Sequence, residues 1–156
     1  MSTVIKAERM KETDKARYFE MSREFYSLGV TNSQISDSGR ESFWKEIMCG
    51  EIVKGYILRY DTEVAGYAVC ALSASQEACG RVLWLDELFV KPQFRGKGVA
   101  KEFFRFIENS DEYGFVRLEV ESENGRAMKL YKSLGYKDAQ YISLYKKTNK
   151  SDLEKE

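Results

Sequence analysis

Leu85-Asp86-Glu87-Leu88-Phe89-Val90-Lys91-Pro92-Gln93-Phe94-Arg95-Gly96-Lys97-Gly98-Val99-Ala100 joins an apolar, strand-like run to a glycine turn and then to a helix. The helix reading comes from Val99, Ala100, Phe103, Phe104, Phe106 and Ile107, which repeat as one broad apolar face. A strand that ends, turns through glycine and opens a helix leaves several main-chain N–H groups without partners. They point at one spot, at the positive end of a helix dipole, and such a spot binds phosphate. Gly96 and Gly98 allow close backbone approach, and Lys91, Arg95, Lys97 and Lys101 precede the first nearby acid, Glu102. The dipole alone contributes about 0.3–1 kcal/mol, so hydrogen bonds and cations must supply most of the affinity. The Gly-x-x-x-x-Gly-Lys-Ser/Thr spacing of a P-loop is missing.

Outward from that corner, residues 4–7 read as a short strand and residues 12–28 as a helix. Thr13 or Asp14 is its cap, and Ala16, Phe19, Phe25 and Leu28 form its buried stripe. Residues 29–39 are polar and irregular. Residues 40–48 form a second helix with Phe43, Trp44 and Ile47 inward. Residues 52–59 and 64–72 are strands joined by a hairpin-like 60–63, residues 73–80 a loop of small residues, and residues 82–90 a third strand. A strand over 115–120 and a helix over 124–134 follow the glycine-turn helix, and Gly135 ends the latter. Residues 136–147 hold one or two final strands, and 148–156 are a charged tail. The pattern predicts one α/β or α+β domain over residues 1–147 with a mixed sheet.

Composition narrows the function. At 156 residues the chain is most simply one domain, and 43% apolar with 32% charged residues is the balance of a globular protein. Lys plus Arg and Asp plus Glu stand at 25 each, so no global field draws it to nucleic acid or an anionic membrane. No run approaches a membrane span, and residues 1–10 lack a signal-peptide core, which predicts a cytoplasmic protein. Cys49, Cys70 and Cys79 are an odd number without C-x-x-C spacing and read as reduced thiols. Histidine is absent, which removes Ser-His and Cys-His activation and the common His-rich metal sites. Acid–base chemistry is left to carboxylates, tyrosine, lysine, cysteine or water.

A second block reads Asn124-Gly125-Arg126-Ala127-Met128-Lys129-Leu130-Tyr131-Lys132-Ser133-Leu134-Gly135-Tyr136. Taken together, the two blocks resemble the GNAT superfamily of acyl-CoA-dependent N-acetyltransferases. The first matches the family's R/Q-x-x-G-x-G/A turn and the second its N-x-x-A-x-x-x-Y-x-x-x-G-F/Y helix. The motifs cover roughly a third of the chain and the element order nearly all of it. The resemblance implies a mixed, mostly antiparallel central sheet flanked by about four helices, with acetyl-CoA as acyl donor and no metal. It assigns cofactor binding to Leu88, Phe89, Val90, Arg95, Gly96, Lys97, Gly98, Val99, Ala100, Asn124, Arg126 and Ala127. In this family the strand end, here Leu88 to Val90, pairs with the pantetheine arm, and an N–H near it polarises the thioester carbonyl.

The implied reaction is direct attack of an amine on the thioester. An ordinary lysine-like amine titrates near 10.4, so reaching the free base at neutral pH costs about 4.6 kcal/mol without help. Asp86 and Glu87 are the candidate bases, directly or through water. Alternation lets only one face the cleft, and a bulge, frequent here in the family, would shift the parity. Asp86 is slightly favoured, with Glu87 next. Tyr131 maps to the family's general acid. The acceptor pocket maps to Phe25, Tyr26, residues 29–39, Trp84 and the two acids, with Glu119, Glu121 and Glu123 adding negative potential. Acids and aromatics suit a small cationic amine such as a polyamine, amino sugar or amino-acid derivative. A protein N-terminus or lysine is the enzymatic alternative, and a non-catalytic acyl-CoA sensor the rival class. Many relatives pair through late strands or helices, which leaves a homodimer open.

Overall fold

The computed structural model describes residues 2–29 and 34–148. The chain divides into two compact units, Met1–Glu119 and Val120–Glu156. The first unit carries a sheet in the order β1-β2-β3-β4-β5. Its strands are β1 (Ile5–Arg9), β2 (Val53–Tyr60), β3 (Glu63–Ser75), β4 (Gly80–Val90) and β5 (Tyr113–Leu118). The first four strands run antiparallel to their neighbours, and β5 runs parallel to β4. The mixed, mostly antiparallel sheet expected from the sequence is therefore present. The small-residue loop is shorter than expected. Ser73, Ala74 and Ser75 pair with Val82, Arg81 and Gly80, leaving only residues 76–79 as the turn. Ladder bonds are main-chain bonds, so small side chains do not end a strand whose partner is in place.

Two helices cover one face of the sheet. α1 (Lys15–Ser27) follows a short 3-10 turn at Glu12–Asp14, and α2 (Asp37–Cys49) follows Ser36, whose Oγ accepts the Gly39 N–H at 3.0 Å. That cap starts α2 three residues before the expected 40. The buried stripe of α1 is corrected: Tyr18, Phe19, Met21 and Ser22 are buried, while Ala16 and Leu28 are exposed. Tyr18 sets the phase, its ring stacked on Trp44 of α2 at 5.6 Å and edge-on to Tyr67 of β3 at 5.1 Å. Trp44 and Ile47 lie inward as expected, with Phe43 half-buried; of the irregular 29–39, residues 30–33 lie outside the described residues. The core on this face joins these side chains to Val53, Ile57, Tyr67, Val69 and Phe89.

α3 (Val99–Glu108) covers the opposite face with Val99, Phe103, Phe104 and Ile107 buried, and Tyr56 of β2 meets Phe103 at 5.6 Å. Phe106, expected inward, is about half exposed, because it sits at the margin of the stripe beside Tyr56. In the second unit, α4 (Gly125–Ser133) is capped by Asn124, and Gly135 takes a positive φ of 92° just beyond its end. The final strands are corrected: among the described residues, 136–148 form none. An apolar run becomes a strand only when a neighbouring backbone takes up its N–H and C=O groups, and here Ile142, Leu144 and Tyr145 stand exposed instead. Of the charged tail, residues 149–156 lie outside the described residues.

Candidate active site

β4 decides how the two neighbouring acids are presented. Val69 of β3 lies opposite Glu87 and Cys70 opposite Leu85, so Asp86 has no partner on β3. Two residues against one is a β-bulge. It lies where β4 parts from β5, since their pairing ends at Leu85 and Leu118. Past that point, residues 86–90 have a strand neighbour only on the β3 side among the described residues. Glu87 and Phe89, opposite Val69 and Tyr67, take the face covered by α1 and α2.

The outcome for the two carboxylates differs sharply. Glu87 is only 6% exposed, whereas Asp86 is exposed. The Tyr67 hydroxyl donates to Glu87 Oε1 at 2.8 Å, and Tyr26 lends a second hydrogen bond. Around them Phe25 meets Tyr26, Tyr67 and Phe89 edge-on, at 5.1, 6.2 and 6.4 Å between ring centres. Burial pushes the Glu87 carboxyl up to about 7, and the Asp86 charge adds to the rise. Its tyrosine hydrogen bonds and the Arg40 charge recover only part. Asp86 is also raised, first by partial desolvation and then by Glu119. Burial, reinforced by the Glu87 charge, holds Tyr18, Tyr26 and Tyr67 above the usual phenol range, so their hydroxyls stay protonated donors.

The glycine turn lies at the end of the same strand. A 3-10 turn, Pro92–Phe94, leads into Arg95, then Gly96 at φ 74° and Gly98 at φ 88°. The Glu102 N–H is the donor to Gly98 O, so the amides of Val99, Ala100 and Lys101 come before the helical ladder, and no side chain caps Gly98. This donor set fits an anionic phosphate group. The cations are less simply disposed than their sequence suggests. Arg95 donates through Nε to Val90 O at 3.0 Å, and Lys97 Nζ rests over the rings of Tyr60 at 5.2 Å and Phe94 at 5.7 Å. Leu88 and Val90 are half-buried and Phe89 buried. Trp84, mapped to the acceptor pocket, lies under the Arg117 guanidinium at 4.6 Å.

In the second unit, Asn124 Oδ1 accepts the Ala127 N–H at 3.1 Å, so this side chain serves as a helix cap. Arg126 is exposed. Tyr131 is half-buried, edge-on to Tyr136 at 6.3 Å, and burial raises its phenol above the ordinary value. The first unit thus brings Asp86, Glu87, Leu88, Phe89 and Val90 onto one strand end that runs into the turn. Tyr67, Tyr18 and Arg40 also contribute to the surroundings of Glu87, and no motif marks them in the sequence. Tyr67 and Val69 alternate on β3 as a facing pair should, but their opposition to Phe89 and Glu87 depends on a register that the bulge disguises.

Residues 16–136 match the family model described as the acetyltransferase (GNAT) family. The chain is similar to thialysine N-epsilon-acetyltransferase of Bos taurus, 37% identical over 78 residues that span 48% of this chain and 45% of that protein. The Sus scrofa counterpart is 36% identical over 62 residues, spanning 38% and 36%. The match thus spans less than half the length of these curated relatives. Among solved structures, the aminoglycoside N-acetyltransferase AAC(6')-Iy in complex with CoA superposes with a TM-score of 0.74 at 19% identity. That match covers 94% of this chain and 97% of that one. The aminoglycoside acetyltransferase meta-AAC0020, from an uncultured soil metagenomic sample and in complex with sisomicin, gives 0.66 at 14% identity over 93% and 97%. At these identities the likeness is one of fold. The family model, covering most of the chain, settles the kinship: this protein is a member of the GNAT family of acetyltransferases.

Proposed function

We propose that the chain transfers the acetyl group of acetyl-CoA to the primary amine of a small cationic molecule, by direct attack. The observation that carries this reading is Glu87: a buried carboxyl near 7, hydrogen-bonded by tyrosine and walled by aromatic rings, next to a strand end that has a strand neighbour on one side only among the described residues. A base poised near neutrality takes up an ammonium proton as the nitrogen attacks, directly or through one water. The aromatic edges and faces around it suit a cation, and Asp86 with Glu119 adds negative charge where β4 and β5 separate.

The turn residues Arg95 to Ala100 would hold the cofactor's phosphates through main-chain amides. The free edge of Leu88 to Val90 would hold its pantetheine arm as an added strand. When bound, acetyl-CoA supplies an activated acyl thioester. In the second unit, Asn124, Arg126 and Ala127 complete the proposed cofactor set by their place in the motif. Tyr131, with its phenol protonated, is the proposed acid for the departing sulfur. Thialysine and aminoglycoside acetyltransferases among the relatives support an amine acceptor, as their names state.

A panel of polyamines, amino sugars, amino acids and lysine peptides, incubated with acetyl-CoA while free thiol is followed, tests the reading. Amine-dependent thiol release with the small amines is expected. Thermal stabilisation by acetyl-CoA without thiol release for any amine sinks it in favour of a sensor. Release with peptides alone moves the acceptor to proteins. In the active assay, Tyr131→Phe is expected to lower kcat on the order of 10–1000-fold, and a fully active variant removes Tyr131 from the mechanism.

A further inference from the structure

β1 is the outer strand of the sheet, and its second edge meets no strand among the described residues. The direction of its main-chain groups follows from the two bonds at its ends. The Asp61 N–H donates to Val4 O at 2.7 Å, and the Met10 N–H to Gly55 O at 3.0 Å. Both continue the register of the β1–β2 ladder, so even-numbered residues turn their N–H and C=O groups toward β2. Ile5, Ala7 and Arg9 turn theirs outward. An open row of this kind invites another strand, and charged side chains commonly guard it. Lys6, Glu8 and Arg9 are exposed here, but Arg9 is drawn over the Tyr56 ring at 5.6 Å. The remaining two, opposite in sign, stand one on either side of Ala7.

We propose that this edge pairs antiparallel with the same edge of a second copy of the chain, about a two-fold axis through Ala7. In that register Ala7 faces Ala7 and Ile5 faces Arg9, and each pair exchanges main-chain bonds through the groups that already point outward. Between them Lys6 of each copy faces Glu8 of the other. Those are the non-hydrogen-bonded positions, where Cα atoms come to about 4.5 Å and side chains are closest. Charge selects the register. An axis through Lys6 sets lysine against lysine, and one through Glu8 sets glutamate against glutamate. Arg59 holds Glu8 Oε2 at 2.8 Å, which leaves Oε1 to meet the lysine of the second copy. The same edge borders a groove of about 370 Å³ between β1 and α3, with Leu58, Val99, Phe103 and the half-exposed Phe106 among its walls. A second strand beside β1 would close its outer side. With only five residues in β1, the association is expected to be weak and dependent on concentration.

Sedimentation velocity of the full chain, from about 1 μM to about 1 mM, is expected to show a monomer passing into a dimer. Lys6→Glu and Glu8→Lys each set like charges opposite one another and are expected to raise the dimer Kd at least about tenfold. Mixed in equal amounts, the two variants are again complementary at both positions, and the dimer is expected to return. Amide hydrogen exchange locates the contact. The N–H groups of Ile5, Ala7 and Arg9 are expected to gain protection as concentration rises, while those of Lys6 and Glu8, already bonded to β2, change little. A chain that stays monomeric throughout, a dimer indifferent to both charge reversals, a mixture that does not dimerise, or a dimer whose outward amides stay unprotected overturns the proposal. Should either charge variant not fold, Ala7→Pro removes an outward N–H while leaving the β2 ladder its donors, and is expected to abolish the dimer. A folded Ala7→Pro protein that dimerises like the parent overturns it.

Discussion

Glu87 and the Gly96–Gly98 corner lie within one strand-turn segment, yet they are built on opposite terms. Around Glu87 everything depends on side chains: aromatic walls, tyrosine donors, a distant guanidinium and exclusion of water. At the corner almost everything depends on the main chain, in residues that are largely exposed, with amides aligned by two positive φ angles. In the first region burial raises the carboxyl at a cost in stability. The second needs only a conformation, and its cations are secondary. Reactivity and cofactor grip are therefore expected to respond to different kinds of substitution.

Glu87→Gln is the change expected to separate them most widely. With Glu87 as the proposed base, kcat is expected to fall by about 10²–10⁴-fold while the Kd for CoA, from calorimetry, stays within a few-fold. The same variant has a stability signature. Because the folded pKa of Glu87 lies above its unfolded value, the folded protein keeps a proton that the unfolded chain releases. The carboxyl therefore costs nothing below about pH 4.5, and its cost grows as pH rises toward 7 and is complete above it. Urea denaturation at pH 5 and pH 8 is expected to show Glu87→Gln relatively more stable at the higher pH, by about 1–3 kcal/mol. An unchanged difference between the two pH values breaks the contrast.

Gly66→Ala strikes the seam beside both regions. A Cβ there would meet Phe89 O at 2.0 Å across the β3–β4 ladder, so stability is expected to fall by about 1–3 kcal/mol in denaturant melts. Gly98→Val forces a β-branched residue into the left-handed region, costing about 1–2 kcal/mol. It is expected to weaken CoA binding about tenfold with kcat at saturation little changed, since it misaligns the amides alone. The smallest effect is expected of Lys97→Ala. Its ammonium rests on Tyr60 and Phe94, and exposed cation–π contacts contribute about 0.5–1 kcal/mol. A two- to threefold rise in the KM for acetyl-CoA is the expected reading. A loss as large as that of Gly98→Val would give the side chain the leading role at the corner.

The corner itself was legible in the sequence because Gly96, Gly98 and the apolar repeat of Val99, Phe103 and Ile107 are local signals. The order of elements followed from equally local periodicity. Glu87 is the buried one of the two neighbouring acids because it opposes Val69 on β3, eighteen positions away in the chain, and only the register shows that pairing. Strand alternation alone favours neither acid once a bulge intervenes, and a bulge has no composition of its own. Arg40 stands four residues before Trp44 and shares its buried face of α2, a place that helical spacing marks but a charged side chain disguises. Ala16 and Leu28 lie toward water because the stripe of α1 is anchored by Tyr18. Residues 136–147 carry the composition of strands, but composition does not supply the neighbouring backbone.

The unpaired residue at position 86 makes β4 tolerant of a change in length. Excising Asp86 would join Leu85 directly to Glu87 and leave each still opposite its present neighbour, Cys70 and Val69, so neither side chain would change sides of the sheet. What would vanish is the kink, and with it the local surplus of twist at the point where β4 and β5 diverge. The spare link in the strand therefore governs the shape of the opening rather than the orientation of the acid behind it.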